Sequence, residues 1–145
     1  MPNFSRTVTV TSDIDSAFGF LSDFRNLEKW AEGDEGELIT KEPLRQGSVF
    51  KVKTHFNNKP REYNYEIIEW GPPLRVSLQA STSIFTIVDT IFLSANSNGT
   101  EITYSVDIKY KFPFFIFGIF VGTIFNKIMD KQIRNLEAAL GPVQE

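Results

Sequence analysis

The hydrophobic positions in the last third of the chain recur at helical spacing. Steps of three and four residues connect a single stripe, made of Gly118, Gly122, Phe125, Met129, Ile133, Leu136 and Leu140. This period predicts one long helix over residues 112–140 with the stripe as its buried face. Glycine has no side chain, so the two glycines either admit a neighbouring ring or leave space beside the helix.

A second apolar set lies on the same helix, away from the stripe, and consists of Phe117, Phe120 and Ile124. A helix that is apolar on two sides needs two apolar partners. We expect one to be a sheet, while the other is a ligand, a second copy of the chain or a membrane surface. The uncharged run 112–125 is too short for a membrane span, which needs about 20 residues.

The segments before the helix alternate between apolar and polar residues, which is typical of strands. Residues 4–11 form the first, with Phe4, Arg6, Val8 and Val10 on one side, and short helices follow, the first from Ser12 or Asp13 to about residue 23 and the second at 24–31. Further strands are predicted at residues 37–41, 48–56, 61–70, 74–81, 84–95 and 101–111. Short connections predict an α+β fold in which a seven-stranded antiparallel sheet curls around the long C-terminal helix.

The composition of the chain limits the classes of protein to which it can belong. A chain of 145 residues is expected to form a single domain, residues 1–145. Its 14 phenylalanines favour an aromatic-rich core, and its net charge of −3 argues against a nucleic-acid partner. The N-terminus has no secretory signal pattern, so a cytoplasmic location is the default expectation.

Polar side chains offer little for catalysis or metal binding. His55 is the only histidine and there is no cysteine, which excludes multi-histidine and thiolate sites. The alternation that turns Phe50 and Val52 inward leaves His55 solvated. The acidic stretch 32–37 lacks the ligand spacing of a calcium loop, so we expect a solvated loop, with no metal and no cofactor.

Asp89 lies in a strand that is apolar on both sides. If Phe85, Ile87 and Ile91 face the helix, Asp89 is buried and its pKa rises, as a general base requires. If Ile84, Val88 and Phe92 face inward, Asp89 is a surface charge. The second arrangement is favoured because buried unpaired carboxylates are rare.

Several local patterns, in their order and spacing, resemble the Bet v 1-like superfamily, also called START-like or SRPBCC, and within it bacterial polyketide cyclase/dehydrase-like proteins. They are VTVTSDIDSAFGFLSDFRNLEKW (8–30), YEIIEWGPPLRVSL (65–78), NGTEITYSV (98–106) and QIRNLEAAL (132–140). The resemblance implies a helix-grip fold, with a cavity between sheet and helix that binds lipids, sterols, polyketides or other apolar molecules. It also implies that Trp30 lies at the mouth of this cavity. A simple core tryptophan is the alternative.

The leading hypothesis is binding of a hydrophobic small molecule or lipid in that cavity. The predicted ligand-binding residues are Trp30, Phe50, Val52, Tyr63, Tyr65, Tyr104, Gly118, Gly122 and Phe125, and no catalytic residue is assigned. One alternative is a polyketide cyclase- or dehydratase-like enzyme acting on an apolar substrate. The other is a membrane-surface or homodimer contact through the apolar face of the C-terminal helix.

Overall fold

A computed structural model describes residues 4–31, 33–56 and 58–143, without the side chains of residues 56 and 119–121. In chain order the elements are β1 (Phe4–Val10), α1 (Ile14–Ser22), a 3-10 helix (Phe24–Lys29), β2 (Glu35–Leu38), β3 (Val49–Phe56), β4 (Lys59–Gly71), β5 (Arg75–Ser81), β6 (Phe85–Asn96), β7 (Gly99–Tyr110), a 3-10 turn (Phe114–Ile116) and α2 (Phe117–Leu140). Of the helices in this described part, none has the length and hydrophobicity that a membrane span requires.

The described strands form a seven-stranded sheet in the order β1-β7-β6-β5-β4-β3-β2, with every neighbouring pair antiparallel. This confirms the predicted antiparallel sheet. The boundaries of β2 were predicted wrongly, because residues 37–41 were expected and the strand begins at Glu35. Glu35 pairs with Lys53 of β3, so part of the acidic stretch is strand.

The two short helices form where local signals predict them. The Asp13 carboxylate accepts a hydrogen bond from the Ser16 backbone N–H at 3.2 Å, which caps α1. The second helix is shorter than predicted and is a 3-10 helix over Phe24–Lys29. Phe24 and Leu27 on its inner side are buried in the core, so tertiary packing holds it in place.

Helix α2 lies mainly against the edge strand β1. Arg6 donates hydrogen bonds to Asp130 at 2.7 Å and to Asn126 at 2.9 Å, and the rings of Phe4 and Phe125 lie 4.8 Å apart. In the second half of the helix the predicted stripe is buried at Met129, Leu136 and Leu140.

In the first half of α2, however, the prediction of a buried stripe is wrong, since Gly118 is exposed. The helix is packed along β1 rather than across the middle of the sheet. Its first half therefore leaves the concave face of β3, β4 and β6 partly uncovered.

A glycine contact between β2 and the 3-10 helix gives a test of this packing. A Cβ atom at Gly36 would overlap the Phe24 carbonyl oxygen, whereas one at Gly19, on the exposed side of α1, would meet nothing within 4 Å. We expect Gly36→Ala to lower the free energy of unfolding by more than about 2 kcal/mol. The control Gly19→Ala should raise it by about 0.5–1 kcal/mol, since alanine favours helix. Urea unfolding measures both, and a neutral Gly36→Ala variant would contradict this packing.

Candidate functional site

A cavity of about 860 Å³ lies between the concave face of the sheet and α2, which contributes lining residues from Phe117 to Asn135. This volume is within the range of roughly 300–1,000 Å³ that small-molecule sites occupy. Its wall is mostly apolar and aromatic, and the apolar and tyrosine residues that line it are Phe24, Leu27, Val52, Tyr63, Tyr65, Ile84, Phe85, Ile87, Tyr104, Ile108, Tyr110, Phe117, Phe125 and Ile128. The cavity can therefore hold an apolar molecule.

Five of the predicted ligand-binding residues line this cavity: Val52, Tyr63, Tyr65, Tyr104 and Phe125. Strand alternation places four of them, because β3, β4 and β7 each turn their apolar side toward α2. Tyr63 and Phe85 bring their rings to 5.8 Å across the sheet, and Phe85 and Tyr110 to 6.1 Å. These contacts make one wall of the cavity largely aromatic.

The other four predicted residues do not line the cavity. Trp30 is only 1% exposed, and its ring meets that of Tyr104 edge-on at 5.4 Å. The predicted place at the cavity mouth is therefore wrong, and Trp30 is a core residue behind the wall. Phe50 is fully buried and packs its ring against Phe24.

The two glycines of α2 also lie outside the lining. At Gly118 a Cβ atom would come within 3.3 Å of the Tyr110 ring, so this glycine lets an aromatic wall residue approach the helix. At Gly122 a Cβ atom would meet nothing within 4 Å. Close approach of a neighbouring ring thus applies at Gly118, and open space beside the helix applies at Gly122.

Asp89 is buried in the wall of the cavity. It is 6% exposed and accepts a hydrogen bond from the Tyr104 hydroxyl, with Tyr104 Oη 2.8 Å from Asp89 Oδ2. The favoured prediction of a surface charge is therefore wrong. The pattern of β6 contained a usable signal, because Thr86 and Thr90 share the other face and bond to hydroxyls of β5 there.

The buried position changes the acidity of Asp89. Burial raises the pKa of its carboxyl from 3.8 to about 7, while the hydrogen bond from Tyr104 acts in the opposite direction and the Asp34 carboxylate raises it further. Burial also raises the pKa of Tyr104 and of Tyr65 well above the usual value. The Asp89 carboxyl can therefore hold or release a proton near neutral pH, whereas both tyrosines stay protonated.

Further polar groups in the lining were not identified from the sequence. Asp34 follows the 3-10 helix and accepts a hydrogen bond from the Thr54 hydroxyl, and burial raises its pKa. Gln132 and Asn135 reach the cavity from α2. Both flank the buried stripe on the helical wheel, which is the only signal the sequence offers for them. His55 is exposed at the rim, as predicted.

In the described part of the chain, three buried side-chain polar atoms in or behind this wall lack a hydrogen-bond partner. Among the described residues, Asp89 Oδ1 and Gln132 Oε1 are buried acceptors without a hydrogen-bond partner, and Trp30 Nε1 is a buried donor without one. His, Asp and Glu residues in the described ranges form no cluster of three that would hold a metal ion. The site thus combines a large apolar wall with a small group of unsatisfied polar atoms.

The open antiparallel sheet, the long C-terminal helix and the cavity between them define a helix-grip protein of the Bet v 1/START type. The sequence profile of the family described as polyketide cyclase/dehydrase and lipid transport matches residues 1–141. The chain belongs to this family, which confirms the resemblance found in the sequence. No curated protein matches the chain in sequence.

Solved structures share the fold at low sequence identity. A START superfamily protein from Mycobacterium smegmatis has a TM-score of 0.78 and 13% identity, with 94% of this chain and 95% of that chain covered. For Ara h 8.0201 the TM-score is 0.68 and the identity 16%, with 94% and 95% covered. The di-domain ARO/CYC protein StfQ from the steffimycin biosynthetic pathway has a TM-score of 0.72 and 8% identity, with 94% and 49% covered. These similarities establish the fold.

The raised pKa of Asp89 predicts a pH dependence of stability. Between about pH 4 and pH 7 the folded protein keeps a proton on Asp89 that the unfolded chain has lost. The free energy of unfolding therefore falls as the pH rises through this window. Asp89→Asn carries no such proton, so its stability relative to the native protein should rise by up to about 4 kcal/mol from pH 4 to pH 7.

Urea unfolding of both proteins across this range measures the difference. The shifted carboxyl of Asp13 is common to both proteins, so its contribution largely cancels, while the interaction of Asp34 with Asp89 is part of the measured difference. Parallel pH profiles would show that Asp89 ionises in the folded protein as it does in water.

Proposed function

We propose that the protein binds an apolar small molecule or lipid in the cavity between its sheet and α2. The observation that carries this proposal is the space of about 860 Å³, enclosed by aromatic and aliphatic side chains. A solid core fills its interior to the density of an organic crystal, and a space of this size forfeits that packing. Such a cavity is unfavourable for folding, and the binding of a ligand explains why it is present.

The family and the related structures support the same function. The family description includes lipid transport, and one similar structure is an ARO/CYC protein of a biosynthetic pathway. A cyclase- or dehydratase-like activity is the enzyme alternative. It would use Asp89 as a base and Tyr104 as its partner, since both line the cavity and form one hydrogen-bonded pair. Turnover of a bound polyketide, lost in Asp89→Asn, is the result that would support it.

A pair of variants on β6 tests the binding proposal. Ile87 lines the cavity, while its neighbour Val88 lies on the other face of the strand. Ile87→Trp should fill part of the cavity and weaken binding of an apolar fluorescent probe, such as 1-anilinonaphthalene-8-sulfonate, by about tenfold or more.

Val88→Trp is the matched control and should leave the affinity close to that of the native protein. Fluorescence titration measures both variants. Native mass spectrometry of the gently purified protein then looks for a co-purified molecule in the cavity. A probe that fails to bind the native protein, or that binds both variants equally, would contradict this site.

A second candidate function is contact with a membrane at the open end of the cavity. An apolar patch, defined by Phe112, Phe115, Ile116, Phe117 and Ile124, is exposed beside the start of α2. Phe112 is 82% exposed, and Phe117 belongs both to the patch and to the cavity lining. Phe120 was predicted in this patch, but its side chain lies outside the described residues. We infer that the patch inserts into a lipid surface.

The charge near the patch favours an anionic surface. Lys59, Arg61, Lys109 and Lys111 are exposed at the same end of the sheet, where β4 begins and β7 ends. Cations beside an apolar surface are attracted to anionic headgroups while the apolar side chains enter the interface. In a homodimer that used this patch, the cations of one copy would face those of the other. A membrane therefore accounts for the patch better than a homodimer.

Two equally exposed apolar residues test the membrane contact. Ile116 and Leu74 are each 58% exposed, and Leu74 lies in the β4–β5 turn at the opposite end of the sheet. Ile116→Ser should weaken binding to phosphatidylserine-containing vesicles about fivefold, because one fewer apolar side chain leaves water. Leu74→Ser should leave it unchanged.

Co-sedimentation measures vesicle binding, and light scattering measures the oligomeric state. Equal effects of the two substitutions would argue against a docking face at the open end of the cavity. So would a dimer that Ile116→Ser dissociates, since the patch would then bind a second copy.

A further inference from the structure

Two buried acceptor atoms in the cavity wall receive no hydrogen bond from any described residue. Asp89 Oδ1 lies on β6 and Gln132 Oε1 on α2, and both residues line the cavity. A buried acceptor without a partner costs free energy relative to its hydration in water. Such atoms are rare in folded proteins, and a pair of them facing one cavity calls for a specific explanation.

The neighbours of Asp89 cannot supply the missing hydrogen bond. A tyrosine has a single O–H, and that of Tyr104 is donated to Asp89 Oδ2. On the adjacent strands, the residues opposite Asp89 are Leu78 and Val106, which are buried and have no polar side-chain atom. The other carboxylate in the lining, Asp34, is bonded to Thr54. Trp30 Nε1, the unpaired donor behind the wall, is not bonded to it either, so Asp89 Oδ1 is open to a donor on a molecule in the cavity.

We propose that Asp89 and Gln132 bind the hydroxyl group of an otherwise apolar alcohol or phenol. This inference rests on the proposed function, because it names the chemical class of the molecule held in the cavity. A hydroxyl group has one proton, which it can donate to either of these two unpaired acceptors, and an apolar remainder fits the aromatic and aliphatic part of the lining. Tyr104 takes part as a positioning residue that fixes the carboxylate through Oδ2.

Two other ligand classes fit this wall less well. A ligand carboxylate would bring acceptors toward the acceptors of Asp89 and Gln132, where an ionised Asp89 would repel its charge. The cations of the lining, Lys59, Arg61 and Lys131, would attract it to other parts of the cavity. An alkylammonium would bring three donors that all lose their water, while Asp89 and Gln132 offer two unpaired acceptor atoms for them. A neutral molecule with one donor avoids both penalties.

Three probes with the same ring system separate the contribution of the hydroxyl group to the binding affinity from that of the apolar rings. 2-Naphthol carries a hydroxyl, 2-methoxynaphthalene keeps the oxygen but has no proton to donate, and naphthalene has neither. Isothermal titration calorimetry at pH 8 should give roughly tenfold tighter binding for 2-naphthol than for the methyl ether, as one hydrogen bond to a buried acceptor contributes. The ether and naphthalene should bind about equally.

Variants assign this preference to the two acceptors. Asp89→Leu should reduce the tenfold difference between 2-naphthol and the ether to less than about twofold, and Gln132→Leu should reduce it in part. Val88→Ala, on the other face of β6, should leave the preference unchanged. Because the comparison of probes in the native protein needs no variant, it decides the matter even where a variant fails to fold.

The outcomes separate this inference from the proposed function. Equal affinities of the native protein for 2-naphthol and its methyl ether would overturn the hydroxyl inference and leave apolar binding intact. Retention of the preference in folded Asp89→Leu would overturn it too. Failure of all three probes to bind would overturn both the inference and the proposed function.

Discussion

The position of α2 along the edge strand β1 is the constraint on which the rest of the structure depends. Apolar packing of Met129, Leu136 and Leu140 fixes the second half of the helix, and the ring contact between Phe4 and Phe125 aligns the middle. The hydrogen bonds of Arg6 to Asp130 and Asn126 set the rotation, although an exposed ion pair by itself contributes only about 0–1 kcal/mol. A helix held at one edge cannot also fill the concave face of a sheet this wide.

The cavity and the exposed patch are consequences of the same placement. The second half of α2 buries its apolar stripe and stabilises the fold, while the first half spans the open part of the sheet and leaves rings on both of its sides unburied. Burial of apolar surface stabilises a protein by about 25 cal/mol per Å², and surface left in water lacks this stabilisation. The second half of α2 thus supplies the buried stripe, while Phe117 in the first half presents apolar surface both to the cavity and to the exposed patch.

Strand alternation and helical period predicted most of the fold and five of the residues that line the cavity. They work because a sheet with one covered face must alternate, as in β7, where Ile102, Tyr104 and Val106 are all buried. They failed at Asp89, because β6 is apolar on both faces and its orientation depends on hydroxyl pairs with the neighbouring strand. They also failed at Trp30 and Gly118, because Trp30 packs against Tyr104 in the core and α2 lies along the edge strand β1. Both are tertiary contacts that no local period encodes.

A carboxyl at Asp89 makes physical sense only if something compensates its burial. An apolar side chain at this position would pack between Leu78 and Val106 without the penalty of desolvation, so the free protein is less stable than it could be. Any molecule that binds the folded state alone restores stability by an amount that grows with the logarithm of its concentration divided by its Kd. A ligand that donates a hydrogen bond to Asp89 Oδ1 removes the penalty, whereas an apolar ligand leaves it in place. The selectivity of the site would then come from the same burial that weakens the empty fold.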